Sequence, residues 1–509
     1  MLRSGDTTWR TTRTIRRSPR CISNSDFRNS AAMDIVDSAR WAAISQLSRV
    51  GMQFAGMMLL SRLLAPGDFG VMAMALAAIN LAHLLRDMGT AAAIVQRREL
   101  DDRTIGAVYG LNLIVGVGLA AIVCTAAAGI GHFFRSDGLP AVLALLSLVF
   151  PISASSAVFQ SLHERESNFR LLARIEITSG LGGLLTAVAL AWHGAGVICL
   201  AAQSLVTVSL SAAQLWRART WTPSGFELGG IRSLVHYSGN LTLFNLINYF
   251  ARNADSLIIG RMLGPIALGV YSQAYRVMLF PVQNLTFIAT RALFPVISGL
   301  QDHRPQARDV YVKTVMLIVG LTGPLMGGIW ITRAEFVDVV FGGKWTAVVP
   351  ILAWLAPVGF IQSIVSTTGT VFMAFGRTKQ LMQLGIVATV LQVGAFVIGA
   401  GHDVVRVAEL YCLANLINFA IAMHATMRQF DSRLTMLLGR IGPALGSTAI
   451  ALAAACLVRA YLVSIGVRGP IVLTGTLLAE AVLYAALRFD WIVATLSAAG
   501  NRRTAGDAR

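Results

Sequence analysis

Apolar residues in this chain gather into runs of about 20 residues or more, each long enough to cross a bilayer's hydrocarbon core as a helix. Short polar, charged or Gly/Pro-containing connections separate them. The pattern predicts fourteen membrane-spanning helices, at residues 41–61, 70–90, 104–130, 139–161, 171–192, 194–216, 234–260, 267–291, 310–332, 347–374, 380–400, 404–427, 436–461 and 469–487. The run 194–216, which follows a tight His193-Gly-Ala-Gly turn, and the final pair carry the weakest pattern.

One phrase occurs twice. Arg62-Leu-Leu-Ala-Pro66-Gly-Asp-Phe-Gly70-Val71 returns 199 residues later as Arg261-Met-Leu-Gly-Pro265-Ile-Ala-Leu-Gly269-Val270. Each copy follows one apolar run and precedes another, which is the mark of an internal duplication. Arg62, Pro66 and Gly70, with Arg261, Pro265 and Gly269, are read as its structural positions. Six spans lie between the copies, so both face the same way and the halves are parallel repeats about an axis along the membrane normal. The expected fold is an all-α integral membrane protein: two six-helix pseudo-repeats at 33–230 and 231–430, then a C-terminal helix pair at 431–490 and a tail at 491–509. Residues 1–32 are rich in Arg, Ser and Thr with no apolar core for a signal peptide, and are expected to be a disordered basic extension, with Met33 as a plausible start.

Composition agrees with the pattern: 55% of residues are hydrophobic and only 13% charged, against about 25% charged in a soluble domain. The net charge of +17 does not mark a nucleic-acid binder, because the basic residues sit in short segments between apolar runs. Counted over alternate connections and both termini, 31 of the 42 Lys and Arg fall on one side and eight on the other. The positive-inside rule then places both termini in the cytoplasm. The five cysteines show no ligand spacing; four lie inside apolar runs and read as small buried hydrophobes rather than metal or redox groups.

Three arginines remain inside spans: Arg49, Arg252 and Arg276. Charge at that depth is costly, so such residues face the bundle interior or a wet cavity and mark a functional site. Asn245, Asn248, Arg252 and Asp255 share one helical face of the seventh span; Ser45, Arg49 and Gln53 share one face of the first. The repeat offset maps Arg49 onto Asn248 and Gln53 onto Arg252, as expected if the two helices confront each other across a cavity. Arg49, Gln53, Asn245, Asn248, Arg252 and Arg276 are therefore candidate binding residues for an anionic solute, since guanidinium forks onto phosphate oxygens. The bland alternative is a set of buried polar braces, favoured for Asn80 and His83 of the second span. Asp255 is a candidate for ion coupling, though a static pair with Arg252 is equally open. Glu176 and Glu409 are placed near span ends, and Glu480 in the last span has no assigned role.

The segment 62–100, RLLAPGDFGVMAMALAAINLAHLLRDMGTAAAIVQRREL, resembles the first-hairpin region of WzxC-type polysaccharide flippases. The segment from Ala251, ARNADSLIIGRMLGPIALGVYSQAYRVMLFPVQN, resembles their seventh and eighth helices. These belong to the multidrug/oligosaccharidyl-lipid/polysaccharide (MOP) exporter superfamily, and the likeness covers about residues 35–430. It implies a MOP-type flippase that moves a lipid-linked oligosaccharide on an undecaprenyl diphosphate carrier across the bacterial inner membrane by alternating access, for surface polysaccharide such as lipopolysaccharide O-antigen, capsule or exopolysaccharide. Membrane lipids, a polysaccharide polymerase and a chain-length regulator are the partners it implies.

A lipid II flippase or a cation-coupled multidrug exporter of the same fold are the nearer alternatives. The buried arginines disfavour an exporter of cations. A glycan polymerase or ligase is the alternative of another class, but the longest outer connection, 333–346, is too short for a catalytic domain. No phosphate-cradling Gly-rich loop, HExxH or nucleophile elbow is present. No catalytic residue, cofactor, metal or nucleic-acid partner is therefore expected.

Overall fold

The computed structural model describes residues 24–86, 94, 101–219, 221–222, 249 and 253–489, and every element among them is helical. In chain order they are α1 (Asn24–Leu63), α2 (Pro66–Arg86), α3 (Asp102–Phe134), α4 (Leu139–Arg165), α5 (Phe169–Trp192), α6 (Ile198–Arg217), α7 (Ala254–Thr286) and α8 (Phe287–Gly299). There follow α9 (Arg304–Ile331), α10 (Arg333–Val340), α11 (Val348–Ala374), α12 (Thr378–Ala400), α13 (Val404–Gln429), α14 (Leu434–Ser464) and α15 (Gly469–Leu487).

Twelve described helices are long and apolar enough to cross a membrane. They coincide with all the expected runs except two. The first run is helical within α1, but Ser45, Gln46, Ser48, Arg49 and Gln53 dilute its hydropathy. The seventh lies mostly outside the described residues. α1 begins at Asn24, so residues 24–32, expected to be disordered, are helical; Asn24, Ser25 and Asp26 are the residue types that start helices. The rest of the extension and the tail after Phe489 lie outside the described residues.

Both copies of the repeated phrase make the same elbow. In the first, α1 ends at Leu63 and Pro66 opens α2, where a missing N–H costs nothing. Asp68 reaches back to accept the Ala65 N–H at 3.0 Å, closing half of a capping box. In the second copy Ala267 replaces that aspartate and the turn is made by the backbone instead. Gly264 has φ 82° and ψ −177°, a conformation open to glycine, and Pro265 starts the next segment of α7.

The elbows meet. α2 against α7 is the most extensive helix contact among the described residues. A methyl on Gly70 would overlap the Pro265 carbonyl, and one on Gly269 would overlap the Pro66 carbonyl. Each copy thus supplies a glycine to the other's proline, a reciprocal crossing that only small residues permit. α1 packs on α5, α3 on α4 and α5 on α6 in the first lobe, and α9 and α13 pack on α11 in the second; α14 and α15 pack on each other, with α14 on α9. One apolar core runs through both lobes, from Met57 and Phe69 to Tyr271 and Trp345.

The connection after α10 locks the same end. Ser61 and Arg62 stand at the end of α1, where carbonyls lack helical partners. Trp345, fully buried, donates its indole N–H to the Ser61 carbonyl at 2.8 Å and packs edge-on to Phe69 at 5.2 Å. Arg62 donates to the Val339 carbonyl at 2.6 Å in return. Trp345→Ala should therefore cost about 3–5 kcal/mol of stability through the cavity it leaves. Trp345→Phe, which keeps part of the ring packing but loses the hydrogen bond and some buried volume, should cost less, about 1–3 kcal/mol. Thermal unfolding in detergent measures both; equal losses would show that packing around Trp345 is not what holds this end.

Candidate functional site

Below that closed end the lobes part. α1 descends along the gap, and the second segment of α7 stands opposite it. Phe54 of α1 meets Phe280 of α7 edge-on at 5.1 Å, and the Gln46 amide donates to Asn284 Oδ1 at 3.5 Å. Three cavities open beside this pair.

The first, about 480 Å³, lies on the first-lobe side and is lined by Gln53, Asn80, His83, Gln203, Ser204, Thr207 and Arg276 among apolar neighbours. The second, about 440 Å³, lies on the second-lobe side between α7, α9, α10 and α15, with Gln53, Phe54, Arg276, Phe280, Phe336 and Glu480 in its wall. Gln53, Met57 and Arg276 belong to both, so these residues stand at the junction of the two chambers. Arg276 forms no hydrogen bond or ion pair with any described residue. Its own helix carries no acidic residue between Asp255 and the end of α7.

Arg49 sits apart. It lines a third cavity of about 390 Å³ with Ser45, Gln46, Glu176, Gln283, Asn284 and Arg291. There it is ion-paired with Glu176 of α5, which also accepts from the Ser45 hydroxyl. Fourteen residues of helix separate Arg49 from the elbow at Leu63, about 20 Å at 1.5 Å per residue. The polar face of α1 therefore runs as a column, from Arg49 near one mouth to Gln53 one turn deeper.

The expected site residues fare differently. Gln53 and Arg276 come together around the first cavity, joined by Asn80 and His83, for which the sequence favours a role as buried braces. His83 does so while its ring packs on Phe150 at 4.8 Å. Asp255 is 5% exposed, lines none of the three cavities and accepts the Ser256 N–H at 2.6 Å. It lies within electrostatic reach of Tyr249, Tyr271 and Tyr411. Asn245, Asn248 and Arg252 lie outside the described residues. The structural elements Arg62, Pro66, Gly70, Pro265 and Gly269 all stand at the crossing of the elbows, whereas Arg261 turns outward, with its guanidinium over the Phe133 ring at 5.6 Å.

Several lining residues escape sequence reasoning. Gln203 and Thr207 fall four apart on α6, a spacing that aims both into the first cavity and was available as a signal. The sequence places Glu176 near a span end, and nothing in its own neighbourhood announces a partner 127 residues away in Arg49. Glu480 signals itself only as a lone acid in an apolar run, and nothing near it in sequence names a partner.

Known proteins fit this architecture. A family described as "Polysaccharide biosynthesis protein" matches residues 59–350. The lipopolysaccharide biosynthesis protein WzxC of Escherichia coli is 28% identical over 367 residues, covering 72% of this chain and 75% of its own. A structure of the lipid II flippase MurJ in an inward closed conformation superposes with a TM-score of 0.68 at 11% identity, over 89% of this chain and all of that one. An inward-facing multidrug-resistance MATE transporter of the MOP superfamily superposes with a TM-score of 0.54 at 16% identity, over 75% and 94%. With the two-lobed helical fold already in hand, these likenesses lead to one conclusion: the chain is a multi-pass membrane protein with the MOP transporter fold and belongs to the polysaccharide biosynthesis protein family.

Proposed function

We propose that this protein is a flippase that carries a polyprenyl-diphosphate-linked oligosaccharide across the bacterial cytoplasmic membrane, by alternating access, for surface polysaccharide assembly. The observation that carries the reading is Arg276: a guanidinium without an ionic partner among the described residues, at the junction of two chambers between the lobes. A buried cation in that position calls for an anion, and the planar fork suits a diphosphate. Family membership supplies the glycan context, and the WzxC likeness the lipopolysaccharide one. It is not an enzyme on this reading; the chambers bind and release.

The charge asymmetry of the connections puts both termini inside. The end closed by the elbows and Trp345 is then the outer one, and the Arg49 chamber lies toward the cytoplasm, where the cargo is made. Arg49, Arg291 and then Arg276 form an inward path of positive charge. On the helical face they share in the sequence, Arg252, Asn245 and Asn248 are proposed to bind the same cargo, and Asp255 to couple an ion. A polymerase and a chain-length regulator take the cargo on the far side.

Proteoliposomes test this directly. With a fluorescent short-chain polyprenyl diphosphate bearing a disaccharide, the protein should move label between leaflets at least tenfold faster than protein-free vesicles. No acceleration, or equal acceleration of a lipophilic cation, would end the proposal.

A further inference from the structure

Glu480 is 3% exposed, in the middle of α15, and belongs to the wall of the second cavity. Its Oε1 is buried with no hydrogen-bond partner among the described residues. Its Oε2 lies so close to Gly328 of α9 that a methyl there would collide with it. The carboxylate is thus pressed against a bare stretch of helix and left without a donor on its cavity side. Such a group is expensive to bury unless a charge answers it.

The charged and titratable groups around it are few. Arg276 shares its cavity. Glu335 of α10 and Arg459 of α14 are already bound to each other by a fork with N–O distances of 2.8–3.2 Å. Arg333 donates to the Trp330 carbonyl at 2.7 Å, and Asp338 lies beside Gly469 at the far end of α15. Tyr484 follows one turn on, in the wake of Arg488. Among the described residues Glu480 is the one acidic side chain lining either cavity that Arg276 lines. The parallel with the third cavity is direct: there Arg49 also has one carboxylate, Glu176, but in contact.

We propose that Glu480 is the internal counter-ion of Arg276, a specificity-determining residue that competes with the anionic cargo for the guanidinium and so drives its release. The proposal rests on the reading of Arg276 as the cargo's phosphate site. Before cargo arrives the chamber holds one positive and one negative side chain. A diphosphate entering must draw Arg276 away from the field of Glu480 and itself bear the repulsion of that carboxylate. Affinity is held down, and the empty transporter is the better-balanced state. A flippase with Arg276 alone would bind its cargo and keep it.

Farnesyl diphosphate is the probe, with farnesol as its uncharged counterpart, and purified full-length protein in detergent is the sample. Glu480→Gln should bind the diphosphate about tenfold more tightly, the order expected for removing a like charge across a cavity at moderate dielectric, and farnesol no differently. In proteoliposomes the same variant should lower KM and kcat together, because release becomes slow. Gly328→Ala, whose methyl claims the place of Oε2 and drives the carboxylate toward the cavity, should weaken diphosphate binding. A folding defect weakens binding in both variants, so opposite signs support the counter-ion role. Unchanged or weaker binding in a folded Glu480→Gln, with binding still lost in Arg276→Ala, would overturn this proposal and leave the cargo reading standing. Diphosphate binding that survives Arg276→Ala would remove the cargo reading and this proposal with it.

Discussion

Arg276→Ala should leave a protein that inserts normally and moves no detectable glycan. The guanidinium makes no hydrogen bond or ion pair with a described residue, so its removal breaks no contact in the resting fold; the cost there is the loss of its field at Glu480. The cost falls on the bound state, where each charge-assisted hydrogen bond to phosphate is worth about 1.5–3 kcal/mol. Losing a forked pair should lower transport by about 100-fold or more. Arg276→Lys keeps the charge but not the fork, and should recover only part of the activity. Surface polysaccharide in a complemented null strain, with membrane abundance checked by immunoblot, measures both; wild-type polymer from Arg276→Ala would refute the site. Arg49→Ala is expected to be milder. Arg49 is 59% exposed and already paired with Glu176, and exposed pairs are worth only about 0–1 kcal/mol.

The second large effect belongs to the crossing of the elbows. Gly70→Leu or Gly269→Leu places a side chain where the opposite proline carbonyl already stands. The helices must separate, and overpacking of this kind costs about 1–3 kcal/mol or more. Charged against one state of a two-state cycle, that shifts the balance toward the form open at this end by about 5- to 150-fold. Transport should collapse although the cavities are untouched. Gly67 and Ile266 give the readout, since a methyl on Gly67 would lie 3.6 Å from Ile266 Cγ1. In a background without the five native cysteines, Gly67→Cys with Ile266→Cys should crosslink under oxidation, and the added leucine should suppress it. Crosslinking that persists alongside lost transport would separate the two and exclude this explanation.

The parts of the molecule legible in its sequence are those with a periodic or repeated cause. Span length and alternating charge give the helices, because the bilayer imposes both. The doubled phrase marks the elbows, because one local solution, Pro after a helix end, serves both halves. Arg276 stands out because a lone guanidinium in an apolar run has few harmless explanations. The pairing of Arg49 with Glu176 was not legible: it depends on α5 lying against α1, a matter of packing rather than spacing. Glu480 was opaque for a different reason. Its helix lies outside the duplication and has no internal copy to be compared with, and only the neighbouring chamber gives its charge a meaning. Gln203 and Thr207 sit between these cases, their four-residue spacing visible but their helix weakly patterned.

The reciprocal seat of Gly70 on Pro265 and Gly269 on Pro66 also bears on how the two halves have aged. Elsewhere each half was free to drift alone, and little common wording survives. At the crossing, a change in either copy is felt at once by its twin, because each is the mould into which the other is cast. The matching words are shared ancestry held in place by mutual contact, so a viable replacement there should require a paired one in the opposite half.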